Sequence, residues 1–251
     1  MKKAVLIGIL LIFNSSYSQE NVREIFDGAN KFYMDEKYQE AVNEYMKILN
    51  TGYENGAIYF NLGNAYYKLG NIGKAILYYE KAKKIFHNDE DINNNLKLAN
   101  LYVADKITPI PEIFYIRYFN NFTELMSPDA WMRFFIIIYI MLCLTICCQI
   151  IIKKQKIKNI IRRIAPLFVF LTAFFLFIFL HSEYQLNRHD WAVIMSEKAE
   201  VYSSPVEDST ELFSIHEGTK VKLKRTKGEW IEIALADGKV GWLTKNHTEI
   251  I

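Results

Sequence analysis

The sequence predicts a multi-domain membrane protein with an α-helical solenoid, two transmembrane helices and a C-terminal all-β barrel. Three observations lead to this fold class. The first hundred residues carry a repeat, the middle holds two long stretches without a charged residue, and apolar and polar residues alternate after residue 190. Formal net charge is only +2, so the chain lacks the global basic field of nucleic-acid-binding proteins.

The first 18 residues have the pattern of a secretory signal peptide. Two lysines follow the initiating methionine, a ten-residue apolar run comes next, and Ser16 and Ser18 place small residues at a cleavage site. The apolar run is too short to cross about 30 Å of hydrocarbon. We therefore expect secretion with removal of residues 1–18; an uncleaved anchor is the alternative.

A repeat with a period of 34 residues follows. Equivalent residues are Ala29-Asn30 and Gly63-Asn64, Phe32-Tyr33 and Tyr66-Tyr67, Tyr38 and Ile72, Ala41 and Ala75, and Tyr45 and Tyr79. In the second copy, small residues at 63, 75 and 82 let two helices approach closely, and aromatic residues fill the space between them. This pattern is typical of the tetratricopeptide repeat, and Gly70 supplies the turn between the helices.

The first copy of the repeat departs from that pattern, with Gly28 where leucine is usual and Glu36 where the turn glycine would lie. His87 replaces the proline that often closes a repeat. Two repeats do not easily bury their own faces. A helix over residues 89–107, apolar at three-to-four spacing, is therefore expected as a cap or as a degenerate third repeat. The predicted tetratricopeptide module covers residues 20–107.

The concave face of such a module is built from the first helix of each pair. The residues expected there are Asn30, Tyr33, Asn64, Tyr67 and Lys68. One hypothesis is that the paired asparagines hold the backbone of an extended peptide by hydrogen bonds. The alternative is that these are ordinary consensus residues without a ligand.

Two uncharged stretches predict transmembrane helices over residues 134–152 and 164–182, the second with Pro166 in its first turn. Residues 153–163 between them form a predicted loop with six Lys or Arg and no acid. The positive-inside rule places this basic loop in the cytoplasm. Both flanking domains then lie in the periplasm of a bacterial inner-membrane protein, in agreement with the signal peptide.

The segment of residues 108–133, which precedes the first span, is expected to lie on the membrane surface, with Trp131 at the interface. The three cysteines, Cys143, Cys147 and Cys148, all fall in the first span, so neither polar domain can contain a disulfide. A metal or lipid site at Cys143 and Cys147 is a possible interpretation, but small polarizable residues of a membrane helix explain them more simply.

Residues 190–251 alternate in strand fashion, and Asp237-Gly238 is a strong hairpin signal. The strings Glu217-Gly218-Thr219-Lys220-Val221, Gly228-Glu229-Trp230-Ile231-Glu232-Ile233 and Asp237-Gly238-x2-Gly241-Trp242-Leu243 resemble the bacterial SH3 domain. That resemblance implies a small β-barrel that binds peptides or cell-wall material. Trp230 and Trp242 are expected either to form an aromatic ligand platform or to complete a small core.

The order of these modules resembles the BatE family of the Bacteroides aerotolerance operon. The matching residues are Asp105-Lys106-Ile107-x-Pro109-x-Pro111, Leu212-Phe213-x2-His216-Glu217-Gly218-Thr219-Lys220-Val221, Trp230-x-Glu232-Ile233 and Leu235-Ala236-Asp237-Gly238-x2-Gly241-Trp242-Leu243. The resemblance implies partners with von Willebrand A domains and a cytoplasmic MoxR-type ATPase, in survival under oxygen or envelope stress.

The sequence gives no pattern typical of an enzyme, a cofactor site or a metal site. The five histidines are scattered along the chain, and no phosphate-binding loop or zinc-type spacing is present. Two hypotheses follow. The protein is either a non-enzymatic scaffold that binds partner proteins through its repeats, or an envelope sensor whose barrel binds peptidoglycan or a peptide. The short basic loop favours the scaffold, because it leaves little room for signalling output.

Overall fold

A computed structural model describes residues 22–86, 89–111, 113–206 and 208–251. The predicted signal peptide and His87 lie outside the described residues. The chain divides into two compact units. The first holds the described residues up to Ile85 together with Asp89–Ile110 and His189–Ile251, and the second holds Phe86 and the described part of Pro111–Arg188.

The first unit begins with five helices that pack on their neighbours in chain order. They are α1 (residues 22–34), α2 (Tyr38–Asn50), α3 (Gly56–Lys68), α4 (Ile72–Ile85) and α5 (Glu90–Leu101). The side chain of Asn55 caps α3 by accepting from the backbone N–H of Ala57, and Asp89 caps α5 by accepting from Asp91 and Ile92. The helical solenoid predicted from the repeat is therefore present in this unit.

Helix α5 is the first helix of a third repeat. Its buried residues Ile92, Leu96 and Ala99 lie 34 positions after the buried residues Ile58, Leu62 and Ala65 of α3. No second helix follows within the unit, since residues 102–110 form neither helix nor strand. Of the two predicted roles, cap and degenerate repeat, the positions of the buried side chains favour the incomplete repeat.

The C-terminal part of the first unit is a seven-stranded antiparallel sheet with the order β3-β2-β6-β5-β4-β1-β7. The strands are β1 (Trp191–Ile194), β2 (Lys198–Tyr202), β3 (Glu211–His216), β4 (Lys220–Lys227), β5 (Trp230–Ala234), β6 (Val240–Thr244) and β7 (Thr248–Ile250). The predicted all-β module is confirmed as a sheet, but β3 and β7 end the order without pairing with each other among the described residues. Strand pairing therefore does not close the predicted barrel.

The predicted hairpin at Asp237-Gly238 joins β5 to β6. Gly238 has a φ of 90°, a left-handed conformation that glycine adopts without strain, and its N–H donates to the carbonyl of Leu235 at 3.0 Å. One face of the sheet carries the apolar core, in which Ile233 and Leu243 are fully buried. The alternation seen in the sequence thus has its apolar side on this core.

The second unit consists of three helices, α6 (Phe114–Thr123), α7 (Pro128–Ile151) and α8 (Gln155–Asn187). Helices α7 and α8 pack on each other. Both are long and apolar enough to cross a membrane by length and composition. The 24 residues of α7 give a length of about 36 Å, against about 30 Å for the hydrocarbon core of a bilayer.

The predicted loop over residues 153–163 is wrong in its bounds. Helix α8 already begins at Gln155, so only residues 152–154 separate it from α7. Lysine, arginine and glutamine favour a helix, and no glycine or proline interrupts the segment. Pro166 therefore lies inside α8 rather than in its first turn.

The first apolar helix also starts earlier than expected. Helix α7 begins at Pro128, with Ser127 as its N-cap, so Trp131 lies within the helix. The indole is buried, with 4% of its surface exposed, and its Nε1 donates to the carbonyl of Thr123 at 3.0 Å. Phe122 and Phe175 pack against it. Trp131 therefore has a structural role inside this unit, while its position at a membrane interface stays a prediction.

Candidate functional site

The first predicted groove residue, Asn30 on α1, is the centre of a hydrogen-bonded cluster. Its Oδ1 accepts from the hydroxyl of Tyr45 at 2.6 Å and from Nδ2 of Asn61 at 2.9 Å. The cluster therefore joins α1 to α2 and α3. Burial raises the pKa of Tyr45 to about 12, so its phenol remains a donor at neutral pH.

The second predicted asparagine, Asn64 on α3, repeats this arrangement. Its Oδ1 accepts from the hydroxyl of Tyr79 at 2.8 Å and from Nδ2 of Asn95 at 2.9 Å. Each member lies 34 positions after its counterpart in the first cluster. Asn61 and Asn95, which the sequence analysis missed, could have been found from this same offset.

The two clusters fix the orientation of both amides. Because each Oδ1 already accepts two hydrogen bonds, Nδ2 is the atom left for a further partner. In the part of the chain that the structure describes, Nδ2 of Asn30 and of Asn64 donates no hydrogen bond. Both residues are partly exposed. The geometry thus offers two equivalent amide donors on the first helices of successive repeats.

The remaining predicted groove residues lie beside these donors in the sequence. Tyr67 packs edge-on against Tyr102, with 6.0 Å between ring centroids, and Tyr33 packs edge-on against Tyr38 at 5.3 Å. Lys68 is exposed in the last turn of α3. The structure therefore brings Tyr67 to the end of α5, while Tyr33 contacts the start of α2.

An exposed apolar stripe on α5 was missed by the sequence analysis. Leu98, Leu101 and Tyr102 are exposed, Leu101 to 70% of its surface, and they lie at the spacing of one helix face. The buried residues Leu96 and Ala99 occupy the other face. A single amphipathic helix needs only one apolar face. The available signal was therefore a second set of apolar residues at helical spacing within residues 92–102.

Asp105 links the solenoid to the sheet. Its Oδ2 accepts from the backbone N–H of His216 at 2.7 Å and from the hydroxyl of Thr219 at 2.6 Å, and its Oδ1 lies 2.9 Å from Nδ1 of His216. Burial alone would raise the pKa of Asp105, but the hydrogen bonds from Thr219 and His216 outweigh it and lower the pKa. Asp105 thereby holds the turn between β3 and β4.

Two further polar contacts reinforce this junction. The Oε1 of Glu217 accepts from the backbone N–H of Gly73 at 2.9 Å, and Lys220 forms an ion pair with Glu80 at 2.8 Å. A Cβ added to Gly73 would lie 2.6 Å from Cγ of Glu217. An alanine at position 73 would therefore force the Glu217 side chain to move and disturb its hydrogen bond to the backbone of α4.

Apolar side chains complete the junction. Val193 of β1 and the C-terminal Ile251 are buried in the same cluster as the solenoid core, and Trp191 and Met195 pack against that cluster. The sheet thus covers solenoid surface that a second helix of the third repeat would otherwise cover. The two modules form one body although residues 111–188 separate them in the chain.

The two tryptophans of the sheet occupy its other face. Trp230 and Trp242 are both partly buried, and neither belongs to the core that contains Ile231 and Leu243. Trp230 packs edge-on against Tyr202 at 5.7 Å between ring centroids. Trp242 lies under the guanidinium of Arg225, 5.7 Å from its ring centroid.

A pocket of about 290 Å³ opens beside Trp230. A hydrogen bond from Tyr202 lowers the pKa of Glu200, a second residue of its wall. The structure places Trp230 at this pocket, whereas Trp242 is not part of its lining. The residues that line it are Lys198, Glu200, Tyr202, Trp230, Thr244 and His247.

Comparison with known proteins agrees with the repeat geometry. Residues 56–89 match the tetratricopeptide repeat family. The matched segment contains α3, α4 and the asparagine–tyrosine pair of the second cluster. No curated protein matches the chain. Tetratricopeptide repeats are non-catalytic and generally mediate protein–protein interactions, which suggests such a role for the solenoid.

Proposed function

We propose that the protein is a non-enzymatic scaffold of the bacterial inner membrane that binds a partner protein through its solenoid. The repeated amide donors of Asn30 and Asn64 are the observation that carries this proposal. Both donors are held in one orientation by internal hydrogen bonds, so a ligand need not order them on binding. Regularly placed donors of this kind suit the backbone carbonyls of an extended peptide.

The exposed stripe on α5 extends this binding surface. Leu98, Leu101 and Tyr102 are apolar groups that a peptide side chain would remove from water, and Tyr67 packs against Tyr102. Lys68 adds one exposed cation. The partner segment is therefore expected to be extended, with apolar side chains rather than a dense acidic run.

Helices α7 and α8 are proposed to cross the inner membrane as a hairpin. A hairpin returns the chain to its starting side, which is consistent with the packing of the solenoid and the sheet into one unit. The six cations near the α7–α8 connection favour a cytoplasmic position for that end. The solenoid and the sheet, an SH3-like module in this proposal, are then periplasmic.

The physiological context proposed is that of a BatE-like complex in aerotolerance or envelope stress. The family resemblance supplies the candidate partners, membrane proteins with von Willebrand A domains and a MoxR-type ATPase system. The contact between Asp105 and the His216–Thr219 turn joins two of the strings on which the resemblance rests.

Co-purification from the native envelope in detergent tests the scaffold. The Asn30→Ala/Asn64→Ala variant removes both amide donors and is expected to lose the partner proteins recovered with the wild type. The matched control, Tyr45→Phe/Tyr79→Phe, removes one internal hydrogen bond per cluster but keeps both amides, and should still recover them. Full partner recovery by the folded asparagine variant would contradict the proposal.

A second candidate function is an envelope sensor that binds cell-wall material or a peptide through the sheet. The pocket beside Trp230 and Tyr202 is the observation that favours it. Binding of the detergent-solubilised chain to purified sacculi would then fall in Trp230→Ala and persist in Trp242→Ala, whose side chain lies outside the pocket lining. Equal binding by both variants and the wild type would exclude this pocket as the site.

A further inference from the structure

The connection between α7 and α8 concentrates positive charge. Residues 153–163 carry six Lys or Arg, and no acidic residue occurs between Asp129 and Glu183. The opposite ends of the same helices have mixed charges, with Asp129 near Arg133 and Glu183 near Arg188. The basic residues are Lys153, Lys154, Lys156, Lys158, Arg162 and Arg163.

Helix α8 imposes an arrangement on these cations that a loop would not. At 3.6 residues per turn, residues 155–164 have one apolar side and one polar side. The polar side carries Lys156, Lys158, Arg162 and Arg163 over about 160° of the helix circumference. The apolar side consists of Ile157, Ile160, Ile161 and Ile164.

Most of the apolar side of this segment is not covered by protein, and only Ile161 is partly buried. Ile160 exposes 57% of its surface, and Ile157 and Ile164 are also exposed. Because α8 is continuous from Gln155 to Asn187, a membrane-crossing α8 carries this segment through the region where lipid headgroups meet acyl chains. The segment therefore has the two chemical faces that such a boundary requires.

The cations also lack protein counter-ions. None of the ion pairs in the described part of the chain involves a residue of 153–163. Like charges this close repel one another, and an external anion would relieve the repulsion. Lipid phosphates are the anions at the depth where a membrane-crossing hairpin ends, and guanidinium groups bind phosphate with paired hydrogen bonds.

We propose that residues 153–164 form a binding surface for the phosphate headgroups of anionic phospholipids. The cations pair with the phosphates, and the isoleucines nearest the apolar stretch of α8 contact the acyl chains. This inference rests on the proposed membrane hairpin and adds a lipid preference to it. Selective binding would fix the depth of the α7–α8 connection in the cytoplasmic leaflet.

Native mass spectrometry of the full chain in detergent, titrated with phosphatidylglycerol and phosphatidylcholine, tests the proposal. Wild type should retain phosphatidylglycerol at least about tenfold better than phosphatidylcholine, since each cation near a lipid surface contributes about 1 kcal/mol. The Gln variant of the segment should lose this preference, and a control that removes four exposed solenoid and sheet cations should keep it. The test variant is Lys156→Gln/Lys158→Gln/Arg162→Gln/Arg163→Gln, and the control is Lys31→Gln/Lys97→Gln/Lys224→Gln/Lys227→Gln.

Two results would overturn the proposal: equal retention of both lipids by the wild type, or an equal loss of preference in test and control variants. Displacement of phosphatidylglycerol by an equimolar single-stranded oligonucleotide would also overturn it, since the surface would then be a general polyanion site. Carbonate extraction of native membranes separates this failure from that of the hairpin. Release of the chain by carbonate contradicts the hairpin, whereas retention without lipid preference contradicts only the lipid surface.

Discussion

The first two repeats of the solenoid reach the same local structure from different residues. Both have an asparagine cluster, and both turn between helices with the same backbone hydrogen bonds. Buried alanines and tyrosines at equivalent positions of α2 and α4 complete the likeness. The two copies differ where the repeat pattern is most specific, at Gly28 and Leu62, Ala29 and Gly63, and Glu36 and Gly70.

The turn shows most clearly what the difference means. Glu36 has a φ of 60° and Gly70 a φ of 76°, so both residues adopt the left-handed conformation. Lys37 donates to the carbonyl of Phe32 just as Asn71 donates to that of Tyr66. The shared contacts thus impose the turn, and the first repeat accepts backbone strain that the second avoids. A departure from the pattern costs stability locally without changing the fold.

The largest expected effect is at the position where the second repeat has leucine. Leu62 is fully buried, and we expect Leu62→Ala to lower the free energy of unfolding by about 2–5 kcal/mol, because it leaves a cavity. Gly28 is the matched position, and a Cβ there meets nothing within 4 Å. Gly28→Ala should therefore raise stability by about 1 kcal/mol through helix propensity. Chemical denaturation in detergent measures the unfolding free energy of both variants. A lower stability of both Leu62→Ala and Gly28→Ala would contradict the comparison of the two repeats.

The next effect concerns the approach between helices. A Cβ at Gly63 would lie 2.5 Å from the ring of Tyr79, so Gly63→Ala should destabilise the chain by about 1–3 kcal/mol through overpacking. Ala29 occupies the equivalent position beside the first cluster. Ala29 is fully buried, so Ala29→Gly lowers helix propensity and also removes a buried methyl group, and it should cost about 1–2 kcal/mol. A denaturation midpoint of Gly63→Ala at or above that of the wild type would contradict this account.

A third prediction addresses the incomplete repeat that the sheet covers. Asp105→Asn replaces a carboxylate that accepts from His216 and Thr219, and we expect a loss of about 1–3 kcal/mol at neutral pH. The pKa of Asp105 is lowered by folding, so its contribution is present above the unfolded value of about 3.9 and is lost as pH falls through the folded pKa.

The pH dependence of stability supplies the control for that prediction. The difference in unfolding free energy between wild type and Asp105→Asn should shrink below about pH 4, because Asp105 takes up a proton in the unfolded chain before it does so in the folded protein. Asp237, at the exposed hairpin of the sheet, is an acid whose pKa is also lowered, but mainly because its carboxylate accepts from the backbone N–H of Lys239. A difference at Asp105 that stayed constant with pH would show that charge plays no part there.

The smallest effect should appear at the strained turn. Glu36→Gly relieves the left-handed strain of about 1–2 kcal/mol but makes the unfolded chain more flexible. We expect a net gain of up to about 1 kcal/mol, whereas Gly70→Ala should destabilise the second turn. A thermal unfolding series measures both. Destabilisation by Glu36→Gly would indicate that the glutamate side chain contributes more than its backbone costs.

Much of this architecture could be predicted from local sequence patterns. The 34-residue offset predicts the helix pairs, Asp237-Gly238 predicts its hairpin, and two uncharged stretches predict long helices. Each of these signals lies within a short stretch of chain, where spacing determines which side chains share a face. The helix through residues 155–163 was missed because charge density suggested a loop, although no glycine or proline interrupts those residues.

The contacts that join modules could not be predicted in the same way. Asp105 lies 111 positions before His216, and no periodicity relates the two. The asparagines illustrate an intermediate case. The repeat predicts that Asn30 and Asn64 lie on the groove side of the solenoid. The hydrogen bonds that occupy their Oδ1 atoms come in part from Asn61 and Asn95. Those two contacts become visible only when the helices are packed together.

The central claim is that the solenoid and the sheet act together on the periplasmic side of a membrane hairpin. Protease treatment of intact spheroplasts, followed by mass spectrometry of the released and retained peptides, tests it most directly. We expect cleavage within both residues 22–110 and residues 189–251, with residues 153–163 protected until the cells are lysed. Cleavage of only one module, or of the basic segment in intact spheroplasts, would contradict the claim.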